Sequence, residues 1–201
     1  MRKLSFIASF VALLAGGSVL LAQKAPTNEK APETYHVNFD LSTGPVVIEV
    51  TRSLAPIGAD RFYNLVKAKY FDGARFFRVI PNFMAQFGLA ADPKMSQAWD
   101  VNIQDDPVKT TNARGTLTFA ATGAPNSRSE QLFINFADNK FLDGQRFAPF
   151  GKVISGMENV DKIYSGDREN PDQGRATAEG NAYLLKTFPK LDYIKTARIA
   201  P

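Results

Sequence analysis

Val37, Phe39 and Leu41 alternate with polar neighbours, and Val46, Ile48 and Val50 do the same after the turn signal Ser42-Thr43-Gly44-Pro45. A period of two on both sides of a tight turn predicts a β-hairpin. At Pro56 the period changes. Ile57, Phe62, Leu65, Val66 and Tyr70 recur at three- and four-residue spacing, which predicts a helix opened by Pro56 and ended by Asp72-Gly73. Two short strands, 76–80 and 83–87, follow around Pro81-Asn82. Residues 89–111 read as a long loop. Strand signals return at 115–120, 131–136 and 146–154. Met157, Val160, Ile163 and Tyr164 mark a second, short helix, 165–182 an excursion rich in Gly and charge, and 191–199 a last strand. The pattern predicts a mainly β fold: a closed eight-stranded antiparallel β-barrel capped by two α-helices. Closure leaves no exposed edge, which suits a monomer.

The first 22 residues follow a different rule. Arg2 and Lys3 precede the apolar run 4–15, then a Gly16-Gly17-Ser18 break, then polar residues from Gln23. This is the layout of an export signal, with cleavage expected after Ser18 or Ala22. The competing reading is an uncleaved anchor, since 4–22 is nearly long enough to span a bilayer. Export predicts a periplasmic or secreted protein, free of the membrane once the signal is removed. Residues 23–34 hold two Ala-Pro pairs and read as a flexible tether, which leaves 35–201 as the domain.

Composition excludes more than it suggests. With no Cys, no thiolate nucleophile, cysteine zinc site or disulfide is possible. His36 is the only His, and it stands in an alternating segment without a motif, so a hydrolytic triad or His-based proton shuttle has no support. Asp105-Asp106 could suggest paired carboxylates, but adjacent side chains in a Pro-containing loop tend to diverge. The net charge of +4 is dispersed among acids, so no nucleic-acid partner is expected. No metal and no cofactor is expected. Sixteen Phe against one Trp supply both a core and an apolar pocket wall.

Three segments carry a specific pattern: FFRVIPNFMAQFG (76–88), APNSRSEQLFINF (124–136) and KFLDGQRFAPFGKV (140–153). Together, and in this order after the helix 59–73, they resemble the cyclophilin family. The resemblance spans about residues 35–164 and the final strand. It implies a peptidyl-prolyl cis-trans isomerase acting on Pro-containing polypeptides without a cofactor, assisting folding outside the cytoplasm. Arg78, Phe83 and Gln86 match the family's catalytic positions. Met84, Phe133 and Leu142 match the apolar proline pocket, which also includes Phe83. Gln131 matches the polar rim, and Ala120 and Ala121 stand where main-chain groups hold the substrate backbone. Phe141 occupies a position where many members carry Trp, which implies weaker binding of cyclosporin-type macrocycles. Arg146-Phe147 stand where the family often has His, and Gln86 is followed by Phe87-Gly88-Leu89 rather than Gly-Gly-Asp.

The chemistry suits this residue set. Amide rotation must overcome roughly 18–20 kcal/mol of lost resonance, but no covalent bond is made or broken. A donor aimed at the prolyl nitrogen stabilises the lone pair that localises as the amide twists, and a guanidinium never loses its charge. Arg78 is the one cation in the apolar strand 76–80. It must either be neutralised by a partner or be presented to a ligand; the resemblance selects the ligand. The alternative to an enzyme is a catalytically weak module of the same fold that binds Pro-containing segments as a chaperone.

Overall fold

The hairpin forms as its alternation requires. In the computed structural model, which describes residues 28–200, β1 (Thr34–Leu41) pairs antiparallel with β2 (Gly44–Thr51), with Val37 opposite Ile48 and Phe39 opposite Val46. The inward set Tyr35, Val37, Phe39, Leu41, Val46, Ile48 and Val50 is buried. Helix α1 (Pro56–Lys67) starts on its proline and turns Ala59, Phe62, Leu65 and Val66 inward. β3 (Arg78–Ile80), β4 (Met84–Phe87), β5 (Thr116–Phe119), β6 (Leu132–Asn135), β7 (Pro149–Ser155) and β8 (Ile194–Ile199) complete one antiparallel sheet in the order β3-β4-β6-β5-β7-β2-β1-β8.

The sheet is rolled, but it is not closed by a continuous ladder as the sequence reading expected. Its end strands are β3 and β8. The seam between them is stitched by residues leading into each strand and by the first residue of β8: a bridge joins Arg75 to Tyr193, Phe76 N–H donates to Asp192 C=O, and Ile194 N–H donates to Ala74 C=O. The result is an eight-stranded half-barrel with helices, of the expected mainly β class.

Phe39, Phe62, Phe71, Phe76, Phe87, Phe119 and Phe150 fill the interior, most pairs meeting edge-on or tilted at centroid distances of 5.3–6.2 Å. Seven Phe rings in one interior account for much of the chain's phenylalanine. Gly88, the one position that Phe87-Gly88-Leu89 shares with the family's Gly-Gly-Asp, makes the turn after Gln86. It turns with φ +114°, and a Cβ there would collide with Glu130 C=O. The strand can then send Phe87 into the core and Leu89 into a second buried cluster with Phe77, Leu184 and Leu191.

More helix is present than the two predicted. The segment 89–111 contains α2 (Pro93–Trp99), capped by Asp92, whose side chain accepts from Lys94 N–H. After the predicted α3 (Met157–Asp161), the excursion holds α4 (Gln173–Glu179) and α5 (Asn181–Thr187), separated at Gly180. Asp105 and Asp106 both approach the Arg128 guanidinium, at 3.6 and 3.0 Å, but their other partners differ. Asp106 accepts from Ile57 N–H and Gly58 N–H at the start of α1 and from Arg128, whereas Asp105 faces Asn126. They close a helix end and a loop, not a hydrolytic pair. His36 lies across from Glu49 on β2, 3.2 Å away.

The N-terminal boundary falls earlier than position 35. Thr34 already belongs to β1, Ala31 is buried with its N–H on Asp60, and Glu29 N–H donates to Asn64. Residues 29–33 therefore lie against α1 rather than in a free tether. The expected export signal, residues 1–22, lies outside the described residues. No helix among the described residues is long and apolar enough to cross a membrane, and no group of three or more metal-ligating side chains occurs among them.

Candidate active site

Strand pleat and register decide which side chains meet. Alternate residues of a strand point to opposite faces, so one register row across neighbouring strands lies on one face. Arg78 on β3 sits opposite Gln86 on β4, Gln86 opposite Phe133 on β6, and Phe133 opposite Thr118 on β5. The inward set is Val79, Ala85, Phe87, Leu132 and Ile134, all in the core. Arg78, Gln86 and Phe133 therefore project from the outer face, in one row over β3, β4 and β6. Met84 occupies the same face one pleat along.

On that face Met84, Phe133 and Leu142 form a small buried cluster, flanked by Ile80, Phe83, Ala120 and Phe147. All of these but Ile80 wall a cavity of about 230 Å³ lined also by Arg78, Gln86, Ala121 and Gln173. A second cleft of about 410 Å³ shares Gln86, Ala120, Ala121 and Gln173 and continues past Gln131, Asp100, Asn102 and Ser129. Of the residues singled out from sequence, Arg78, Phe83, Gln86, Met84, Ala120, Ala121, Phe133 and Leu142 all line the first cavity, and Gln131 lines the adjoining cleft. Phe141 does not line either. It is 60% exposed and stacks on Phe83 from outside, with centroids 5.8 Å apart.

Two wall residues escaped sequence reasoning. Phe147 meets Phe133 edge-on at 5.8 Å, on the position noted only as a departure from His. Gln173 arrives from α4, in the segment read as an excursion. The visible signal for that helix start is Asp172, whose side chain caps α4 by accepting from Arg175 N–H. Nothing local indicates that it folds onto β4.

The polar members form a relay. Gln131 Oε1 accepts from Gln86 Nε2 at 2.9 Å, and Gln86 Oε1 accepts from Arg78 Nη1 at 3.3 Å. The Arg78 guanidinium lies 6.0 Å from the Phe83 ring centre. Its Nε donates to Glu169 at 3.0 Å. The two alternatives posed by the sequence thus coexist: one edge of Arg78 has a charged partner, and the Nη edge borders the cavity.

Below the walls a layer of asparagines fixes their positions. Asn139 donates to Phe83 C=O and to Asn135 Oδ1, Asn135 donates to Thr116, and Thr118 donates to Asn112. Asn112 in turn donates to Phe147 C=O and to Asp143, beside Leu142. Burial disfavours the ionised Asp143 carboxylate, but bonds from Thr111 and Asn112 outweigh it and hold its pKa below the usual range. Ala121 is a different case: its N–H and C=O join no backbone hydrogen bond among the described residues. It offers an open edge to an extended chain.

Glu130, next to Gln131, is buried, and its Oε2 has no partner. Burial raises its pKa to about 7; a bond from Ser129 opposes the rise, and Asp100 adds to it. The folded state therefore favours the protonated acid. That preference is fully present below about pH 4.5 and is lost as pH rises through about 7. Glu130→Gln is expected to flatten this part of the stability profile and to raise the melting temperature at pH 8. Thermal unfolding of both proteins from pH 4.5 to 8 checks it; parallel curves would refute the assignment.

Comparison with known proteins agrees with this geometry. The family model described as cyclophilin type peptidyl-prolyl cis-trans isomerase/CLD matches residues 36–180. A peptidyl-prolyl cis-trans isomerase of Acinetobacter baylyi is 39% identical over 158 residues, covering 76% of this chain and 80% of the relative. Peptidyl-prolyl cis-trans isomerase B of Escherichia coli is 32% identical over 171 residues, covering 79% of this chain and 94% of its own. A solved cyclophilin type isomerase from Cryptosporidium parvum superposes with a TM-score of 0.65 at 22% identity, covering 84% of this chain and 98% of that one. On the specific sequence motifs, the sheet order and these relatives together, the chain belongs to the cyclophilin-type peptidyl-prolyl cis-trans isomerases.

Proposed function

We propose that the cavity beside Arg78 grips the proline ring of an Xaa-Pro segment while the acyl side of the amide turns. The observation that carries this reading is the Arg78 guanidinium, held by Gln86 and Phe83 at a cavity whose wall is built from Phe83, Met84, Phe133, Leu142 and Phe147. At about 230 Å³ the cavity is smaller than the roughly 300–1,000 Å³ of pockets that enclose a whole small molecule, so it suits one ring. Phe83, Met84, Phe133 and Leu142 exclude water, which strengthens the electrostatic effect of the guanidinium. As the amide twists, the prolyl nitrogen becomes a better acceptor, and Arg78 donates to it. The donor therefore stabilises the transition state more than the planar ground state. Ala121 backbone groups align the extended chain in the adjoining cleft, with Gln131 and Gln86 at its rim.

Acting as a monomer, such a protein would speed X-Pro exchange in unfolded or partly folded polypeptides, which uncatalysed takes on the order of tens to hundreds of seconds. A protease-coupled assay of an Ala-Pro peptide with the purified chain tests this. Catalysed exchange without added metal or nucleotide is expected; a rate equal to the peptide alone would overturn it. The Arg2-Lys3 pair and the apolar run after it support export to the periplasm or beyond. Cell fractionation with N-terminal sequencing checks this. A mature start between Val19 and Gln23 in the soluble extracytoplasmic fraction is expected, and intact Met1 on membrane-bound protein would refute it.

A further inference from the structure

The segment between α3 and α4 carries a residue that bears directly on the proposed chemistry. It runs along the free edge of β3: Val79 N–H donates to Arg168 C=O at 2.9 Å. Arg168 adopts a left-handed backbone (φ 49°), and local bonds from Arg168 N–H to Ser165 and from Asn170 N–H to Asp167 hold the turn. Downstream, Asp172 N–H is anchored on the Tyr183 hydroxyl and the Asp172 side chain caps α4. Both ends of the segment are therefore pinned, one to the catalytic sheet and one to the α4–α5 pair. Between them stands Glu169, whose carboxylate accepts from Arg78 Nε at 3.0 Å.

The choice of donor matters. Glu169 does not line the cavity, whereas Gln86, the partner of Nη1, does. The carboxylate thus takes the guanidinium edge that faces away from the cavity. A guanidinium is planar, so fixing Nε and one Nη fixes the direction of the remaining N–H groups. Without Glu169 the group keeps one long bond of 3.3 Å to Gln86 and the non-directional approach to the Phe83 ring, neither of which fixes its plane. We infer that Glu169 is a positioning residue for Arg78: it holds the guanidinium plane so that the Nη edge meets the twisting amide. Its carboxylate acts through Arg78 and touches no substrate. This rests on the proposed role of Arg78 and adds a residue from outside the three motif segments.

Glu169 is 62% exposed, so the pair has little value for stability. Its effect is instead on alignment, which appears in turnover. For Glu169→Ala in the full chain, kcat on an Ala-Pro peptide is expected to fall about 3–5-fold with KM nearly unchanged. Glu169→Gln keeps an acceptor for Nε and is expected to recover most of the loss. In an Arg78→Ala background, Glu169→Ala should have no further effect, because the group it positions is gone. Thermal unfolding of each variant is expected to match its parent within a degree or two. Unchanged or increased kcat in Glu169→Ala would overturn the inference, as would an equal loss in both backgrounds. The Arg78→Ala protein keeps the two readings apart. If Arg78→Ala turns over normally, the mechanism itself fails; if Arg78→Ala is crippled while Glu169→Ala matches wild type, only the role of Glu169 fails.

Discussion

Arg78→Ala is expected to lose about 10²–10³ in kcat on Xaa-Pro peptides, the typical effect of deleting one preorganised donor, or about 2.7–4 kcal/mol. The fold should survive. Arg78 bonds to Gln86 and to an exposed carboxylate, and exposed pairs contribute about 0–1 kcal/mol. Peptide affinity should change little, because the donor acts mainly on the twisted amide and the apolar wall is intact. Arg78→Lys should recover only part of the rate. Its ammonium cannot engage Glu169 and Gln86 in one plane while presenting a further donor to the cavity. Isomerase rate, peptide binding and melting temperature measured on one preparation separate the cases. A folded Arg78→Ala protein with near wild-type turnover would sink the mechanism. A large drop in melting temperature with catalysis intact would make Arg78 a structural ion-pair residue.

Phe133→Ala should show the opposite balance, losing both activity and stability. The ring is 5% exposed, lies between Met84 and Leu142, and meets Phe147 edge-on. Deleting a buried Phe typically costs about 3–5 kcal/mol, a large share of the roughly 5–15 kcal/mol of a domain. Trp99 is the chain's only Trp and is 2% exposed, so its fluorescence reports unfolding from a site outside the cavity. Turnover is to be compared at a temperature where the Trp99 signal shows the variant folded. Normal isomerisation by folded Phe133→Ala would remove Phe133 from the site.

The residues that read correctly from sequence share a physical reason. β1, β2 and α1 each bury one face of a regular period, so the pattern alone places them. The cavity residues were legible through three long motif segments rather than through chemistry: Phe, Met and Gln at those spacings have ordinary core and surface explanations. What was missed depends on distant partners. α2 has seven residues and is held by its Asp92 cap and by burial of Ser96 and Trp99, too short for a helical period to register. α5 buries Tyr183 and Leu184 against Phe77 and Leu89, which lie about a hundred positions earlier in the chain. Glu169 and Gln173 acquire meaning only when the segment folds back on β3 and β4. The described end of the expected tether is docked for a related reason: Ala31 and Glu29 find Asp60 and Asn64 on α1, which no local rule connects.

The pairing of β1 with β8 has a consequence for the order in which the chain can fold. β1 has β2 as a near neighbour, but its other edge is covered only by β8, with Val37 opposite Ile199 and Phe39 opposite Ala197. Ser42 and Asp192, bonded at 2.6 Å, are 150 residues apart. During N-to-C synthesis the hairpin can form early, yet it keeps a bare hydrogen-bonding edge until almost the whole chain has emerged. Such late, non-local pairings slow folding and leave strand edges open to other chains in the meantime. A nascent chain stopped before Ile194 would therefore be an aggregation-prone intermediate, with β1 unpaired on one side and Asp72 without Arg198. Only when β8 pairs with β1 is that edge covered.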